Sequence, residues 1–136
     1  MDITLTPIGR VESPLVRRSD GPKQGEEGSP RATLVFDAPF ADGLKDIRPG
    51  DRLLLLTWLD RADREVLRVH PRGDAANPML GVFSTRSPDR PNPIGVHRVR
   101  IVAVINSLRF EVEGLEALNG TPIMDLKPIL DGAFEA

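Results

Sequence analysis

Residues 52–59 read RLLLLTWL, an apolar run of strand length that begins just after Pro49-Gly50-Asp51 and ends at Asp60. Its apolar residues are continuous rather than alternating, which predicts a strand buried on both faces. Comparable runs recur on either side of it. ITLTPIGRV (3–11) alternates roughly apolar and polar, as a half-buried strand does, and ATLVFD (32–37) is a second strand. Further runs are Glu65–Val69, Gly81–Thr85, Gly95–Ile105, Arg109–Val112 and Thr121–Leu126. FADGLKDI (40–47) is at most a short helix that stops before Pro49. Seven or eight short, β-branched runs between turn residues, with little helical periodicity, predict an all-β fold. The expected form is a small antiparallel barrel or sandwich with long loops and little helix.

The chain has 136 residues, enough for one domain with its own core, placed at residues 3–130 with 131–136 as a C-terminal tail. Strands do not alternate with long helices and no G-x-G-x-x-G occurs, which excludes a doubly wound nucleotide-binding fold. The glycines at 21, 25 and 28 lack the G-K-[ST] ending of a phosphate-binding loop. The absence of cysteine excludes disulfides, thiolate metal sites and a cysteine nucleophile. His70 and His97 are the only histidines and lie in no metal-ligand spacing, so no metal is expected. No leader pattern opens the sequence and no apolar run reaches membrane-spanning length, so a soluble cytoplasmic protein is expected.

The formal net charge is −2, so general attraction to nucleic acid is not the character of this surface. Positive charge is nevertheless concentrated. Between Arg86 and Arg100 four arginines face one aspartate, Asp89. Within that region VFSTRSPDRPNPIG (82–95) places prolines directly after Ser87, Arg90 and Asn92. Each proline fixes its own φ and pushes the residue before it towards extended geometry, so the loop has few conformations to lose when it grips a ligand. Arg86 and Arg90 offer planar forks to a carboxylate or phosphate, and Asn92 offers a donor and an acceptor. A stiff connection between strands is the plainer reading of the same residues. Ser13–Pro30 forms a second long loop, too rich in glycine, proline and charge to be a regular element.

GVFSTRSPDRPNPIG resembles the signature of the TsaA-like family, also called the YaeB or TrmO family, whose members typically read G-V-F-A-T-R-S-x-x-R-P-N-P-I-G. IGRVESP (8–14), PKQ (22–24) and GLEALNGTPIMDLKPIL (114–130) resemble three further family elements in order, so the resemblance covers about residues 3–130. It implies a compact β-barrel, usually dimeric, that binds S-adenosyl-L-methionine. It also implies methyl transfer to the exocyclic amine of threonylcarbamoyladenosine beside the anticodon of certain tRNAs.

Carried over by position, the resemblance implies donor contacts at Pro22, Lys23 and Gln24, at Asp60 and Arg61, at Arg86 and Val96, and at Glu116, Ala117, Leu118 and Asn119. Asp60 stands where relatives commonly carry histidine, Lys23 where arginine is usual, and Glu116 and Asn119 where aspartates are usual. Arg90, Asn92 and Arg98 are candidates for substrate contact. Asp125, with Lys127 two residues on and therefore facing the same way along a strand, is the candidate proton acceptor, and His97 is a second. His70, in HPRGD, reads as loop structure. Trp58 and most phenylalanines read as core, with Phe83 the exception that could stack on a base. Two alternatives stay open: a methyl transfer to another small or nucleic-acid substrate, and a non-catalytic module that binds the donor or RNA.

Overall fold

The computed structural model describes residues 1–15 and 31–130. Eight strands form: β1 (Gly9–Glu12), β2 (Ala32–Phe36), β3 (Arg52–Trp58), β4 (Arg68–Val69), β5 (Leu80–Gly81), β6 (Ile94–Asn106), β7 (Arg109–Glu113) and β8 (Pro122–Pro128). Six of them close into an antiparallel barrel in the order β1-β2-β7-β6-β3-β8, and β4 with β5 makes a separate two-stranded ribbon. A 3-10 helix over Ala38–Leu44, started by proline in its first turn, fills the position of the short helix expected there. Barrel closure removes the free sheet edges that a sandwich would leave.

The interior is apolar and tightly filled. Val11, Leu34, Leu55, Ile101, Phe110, Val112 and Ile123 are fully buried, and Phe36 meets Phe110 edge to face at 5.7 Å between ring centroids. Closure gives every strand one inner and one outer face, which corrects the reading of RLLLLTWL. Leu53, Leu55 and Thr57 point into the core, whereas Leu54, Leu56 and Trp58 stand half-buried on the outer wall. That wall is unequal around its circumference. Over β1, β2 and β7 it carries ion pairs, Arg10 and Arg109 with Glu12, and Arg31 with Glu111. Over β3 and β6 it carries half-buried Leu54 and Leu56 beside exposed Ile94 and Val96, with Arg98 on β6 and Asp125 and Lys127 on β8 as their charged neighbours.

Three expected strands are shorter than their apolar patterns. The first begins at Gly9 and not at Ile3, because Pro7 has no N–H to donate; the last bonds before it are Ile8 N–H to Ile123 O and Asp37 N–H to Ile8 O. The run from Glu65 pairs only at Arg68–Val69. The run Gly81–Thr85 leaves the ribbon at once and curls into a 3-10 turn over Val82–Ser84.

The alternating strand directions decide where the loops go. The connections β1–β2, β3–β6 and β7–β8 all emerge at one end of the barrel, here called the upper rim, while β2–β3 and β6–β7 connect at the other. Gly9 allows the first strand to pass close to the second: a Cβ there would lie 2.3 Å from Val35 O and 2.9 Å from Phe36 Cα, both backbone atoms. Gly9→Ala is therefore expected to force β1 and β2 apart and to lower stability by ~1–3 kcal/mol, read as a fall in the denaturation midpoint.

Candidate functional site

The signature loop is held from within by one side chain. Arg90 donates through Nε to Ser87 O (2.9 Å) and through Nη2 to Thr85 O (2.6 Å) and Val82 O. Val82 is fully buried, and its carbonyl also accepts from Thr85 N–H (3.0 Å) and Thr85 Oγ1 (2.8 Å). Convergence of carbonyls on one guanidinium curls residues 82–85, which is why the expected strand there is a turn. The expectation that Arg90 presents its fork to substrate is corrected accordingly: its Nε and Nη2 bind the loop's own backbone.

A second arginine fastens the outer side of the loop. Arg64 donates through Nε to Pro91 O (2.7 Å) and through Nη2 to Asn92 Oδ1 (3.2 Å), and its guanidinium lies 5.1 Å from the centre of the Trp58 ring. Asn92, expected to meet substrate, thus gives its acceptor to Arg64. Asp89 Oδ1 accepts from Asp63 N–H at 2.9 Å, which ties the two stretches again. Arg64, six residues beyond Trp58, carried no expectation from the sequence.

With the loop fixed, Arg86 stands exposed at its outer bend, its guanidinium making no hydrogen bond among the described residues. The other rim residues are knitted together around it. Asn119 Oδ1 accepts from Ser13 N–H (3.1 Å), Asn119 N–H donates to Leu15 O (2.6 Å), and Arg61 Nη2 reaches Asn119 O at 3.5 Å. Thr121 Oγ1 donates to Leu118 O at 2.7 Å, closing the turn. Ala117 is buried in the barrel's end, so it can meet a ligand only through its backbone, whereas Glu116 and Leu118 are half-buried. Asp60, Arg61 and residues 116–119 therefore share one rim with the signature loop, as loops of one barrel end must. Pro22, Lys23 and Gln24 lie outside the described residues.

The remaining candidates sit elsewhere. Val96 and Arg98 project from the outer wall of β6, opposite Leu56 and Leu54. Asp125 and Lys127 do face the same way, but outward and down the wall, opposite the same Leu56 and Leu54 from the other side. They border a cleft of about 570 Å³ at the lower end, with Asp46, Asp51, Phe40 and Ile47. A bulge at Met124 makes Ile123, not Asp125, the inward residue next to Thr57. Within one chain, the geometry does not bring Asp125 and Lys127 to the rim.

His97 is inward-facing, and its Nε2 lies 2.8 Å from Thr57 Oγ1. A Cβ at Gly95 would fall 2.3 Å from that hydroxyl and 2.7 Å from Nε2, so only glycine leaves room for the pair. Burial pushes the imidazole down from 6.5 to about 4, and it is neutral at neutral pH. His70, as expected of loop structure, meets Asn77 O at 2.8 Å through Nδ1.

A closed antiparallel barrel with its long loops gathered on one rim, one of them stapled by its own arginine, is the class of domain these features define. Residues 10–133 match the family described as the tRNA-methyltransferase O N-terminal domain, and the chain belongs to that family. It is 41% identical over 128 residues to a "Probable S-adenosyl-L-methionine-binding protein" of Methanothermobacter thermautotrophicus, covering 94% of this chain and 90% of that one. It is 42% identical over 123 residues to an S-adenosyl-L-methionine-binding protein of Archaeoglobus fulgidus, covering 90% and 86% of the two chains. The crystal structure of TrmO from Pseudomonas aeruginosa superposes with a TM-score of 0.77 at 29% identity; the match takes in all of this chain and 61% of that one. This chain thus spans less than two thirds of the length of that solved structure.

Two outcomes follow from the geometry. Arg90→Ala removes this donor from the carbonyls of Thr85 and Ser87, while Val82 O keeps its bonds from Thr85, and is expected to lower stability by ~1–3 kcal/mol, measured by chemical denaturation. Arg90→Lys is expected to restore only part, since an ammonium cannot span the same fork. For His97 the unfolded chain takes up a proton first as pH falls below 6.5, while the folded ring resists until about 4. The histidine's contribution to stability is therefore lost across that window, by roughly 3 kcal/mol in total. Denaturation midpoints at pH 7 and pH 4.5 are expected to differ less in His97→Gln than in the parent protein.

Proposed function

We propose that this protein is an S-adenosyl-L-methionine-dependent methyltransferase, soluble and cytoplasmic, whose acceptor is the exocyclic amine of threonylcarbamoyladenosine beside a tRNA anticodon. The observation that carries the reading is Arg86, exposed and without a hydrogen bond among the described residues, on a loop that two other arginines hold, on the same rim as Asp60, Arg61 and residues 116–119. Family membership and the names of the relatives support it.

The chemistry asks little covalent help of the protein. The S–CH₃ bond of a sulfonium breaks as an N–CH₃ bond forms, the thioether leaves neutral, and the amine gives up a proton. Positioning supplies most of the acceleration. Arg86 suits the donor's carboxylate, and Asp60 and Glu116 suit its ammonium and sulfonium charges. Pro22, Lys23 and Gln24 complete the donor site in this reading, and Arg98 faces the acceptor.

A homodimer belongs to the same proposal. Ion pairs cover the β1-β2-β7 wall, whereas Leu54, Leu56, Ile94 and Val96 form an apolar strip over β3 and β6, bordered by Arg98, Asp125 and Lys127, and a second copy is its occupant. Val96 as a donor contact and Asp125 with Lys127 as proton acceptor and electrostatic partner depend on that packing, because within one chain they lie on the wall.

Calorimetric titration with S-adenosyl-L-methionine tests the proposal. Saturable binding is expected, weakened roughly tenfold or more in Arg86→Ala through loss of a charge-assisted contact, with the denaturation midpoint unchanged. Labelled methyl is expected to pass to tRNA bearing threonylcarbamoyladenosine and not to the same tRNA lacking it. A folded sample that binds no donor sinks the proposal.

A further inference from the structure

The 3-10 turn that Arg90 curls has a second consequence. Val82 goes fully into the core, and Phe83 beside it is left 78% exposed. A phenylalanine in solvent on a backbone held by Leu67 O, Thr85 N–H and Arg90 is not a loose loop residue: Val82 N–H donates to Leu67 O at 2.9 Å, and the turn's carbonyls are gripped as described. Around it the ribbon carries more exposed apolar surface, Leu67 at 61%, Met79 at 45% and Leu80 at 39%.

Charge distinguishes this surface from the apolar barrel wall. Residues 66–88 contain Arg68, Arg72 and Arg86 against Asp74 alone, in a chain whose net charge is −2. Arg68 and Arg86 are exposed, Arg68 on the ribbon opposite Gly81 and Arg86 three residues beyond Phe83. Arg72 sits on the turn between β4 and β5 with a left-handed backbone, φ 57°. An exposed apolar ring beside a ribbon that carries a guanidinium group fits an unstacked nucleobase with its phosphate. Arginines and aromatics also occur at protein interfaces, but a local excess of guanidinium groups in a chain of net charge −2 favours a polyanion as the occupant. One aromatic makes a clamp for one base, not the multi-base platform of an aromatic sheet.

We infer that Phe83, presented by the arginine-stapled turn beside the ribbon that carries Arg68, is the stacking contact for an unpaired base of the RNA substrate. The inference rests on the tRNA reading above and adds to it the surface that receives the anticodon loop.

The test is fluorescence anisotropy with a labelled anticodon stem-loop carrying threonylcarbamoyladenosine, beside donor titration and sedimentation of the same samples. Phe83→Ala is expected to weaken RNA binding roughly tenfold or more and Phe83→Trp to restore it, with donor affinity and sedimentation unchanged. Arg68→Gln is expected to flatten the salt dependence of RNA binding, which Phe83→Ala leaves alone. Parental RNA affinity in Phe83→Ala overturns this inference and leaves the tRNA reading standing. A shift of Phe83→Ala to a smaller sedimenting species also overturns it, assigning the residue to the contact between copies. No RNA binding by the parent protein, with donor binding intact, removes the tRNA reading itself and this inference with it.

Discussion

The guanidinium of Arg90, converging on the carbonyls of Val82, Thr85 and Ser87, is the interaction on which the upper rim depends. It lies inside a loop whose prolines already limit the backbone, so one side chain suffices to select a single shape. That shape buries Val82, turns Phe83 outward and leaves Arg86 at the bend. Arg64 then holds the loop against Trp58 and Asn92 from outside. Two arginines bond to the loop, and the third is left exposed.

The barrel gives this rim its footing. Alternating strand direction sends three of its five connections to the same end, and those three contain nearly every residue expected to touch the donor. The two connections at the other end include the 3-10 helix over Ala38–Leu44, whose Leu44 joins the core. A function built on loops at one end of a rigid wall follows the general division between a scaffold that packs and loops that bind. The wall is itself divided, ion-paired over β1, β2 and β7 and carrying an apolar strip over β3 and β6 between Arg98 and the Asp125 and Lys127 side chains.

His97 shows how closely the core and the rim are joined. Its neutral imidazole meets the buried Thr57 hydroxyl in a space that exists because Gly95 has no side chain. Gly95 closes the signature, so the last residue of the loop motif is also a packing residue of the barrel.

The all-β class, most strand positions and the loop at 82–95 were legible in the sequence, because turn residues and β-branched runs act locally. The four-part resemblance also named the rim residues, since it carries order along the chain. Facing was not legible. RLLLLTWL has no alternation to read, and only closure of the sheet made Leu55 interior and Leu54 exterior. The bulge at Met124 likewise shifted the register, so that Asp125 faces away from the core. Nor could composition separate Arg86 from Arg90 or Arg64. All three are arginines in polar stretches, and which of them bonds to backbone depends on carbonyls brought together from Val82 to Asn92 by the folded turn. Local propensity determined the elements; long-range pairing and the convergence of unsatisfied backbone groups decided which side chains are structure and which are left to bind.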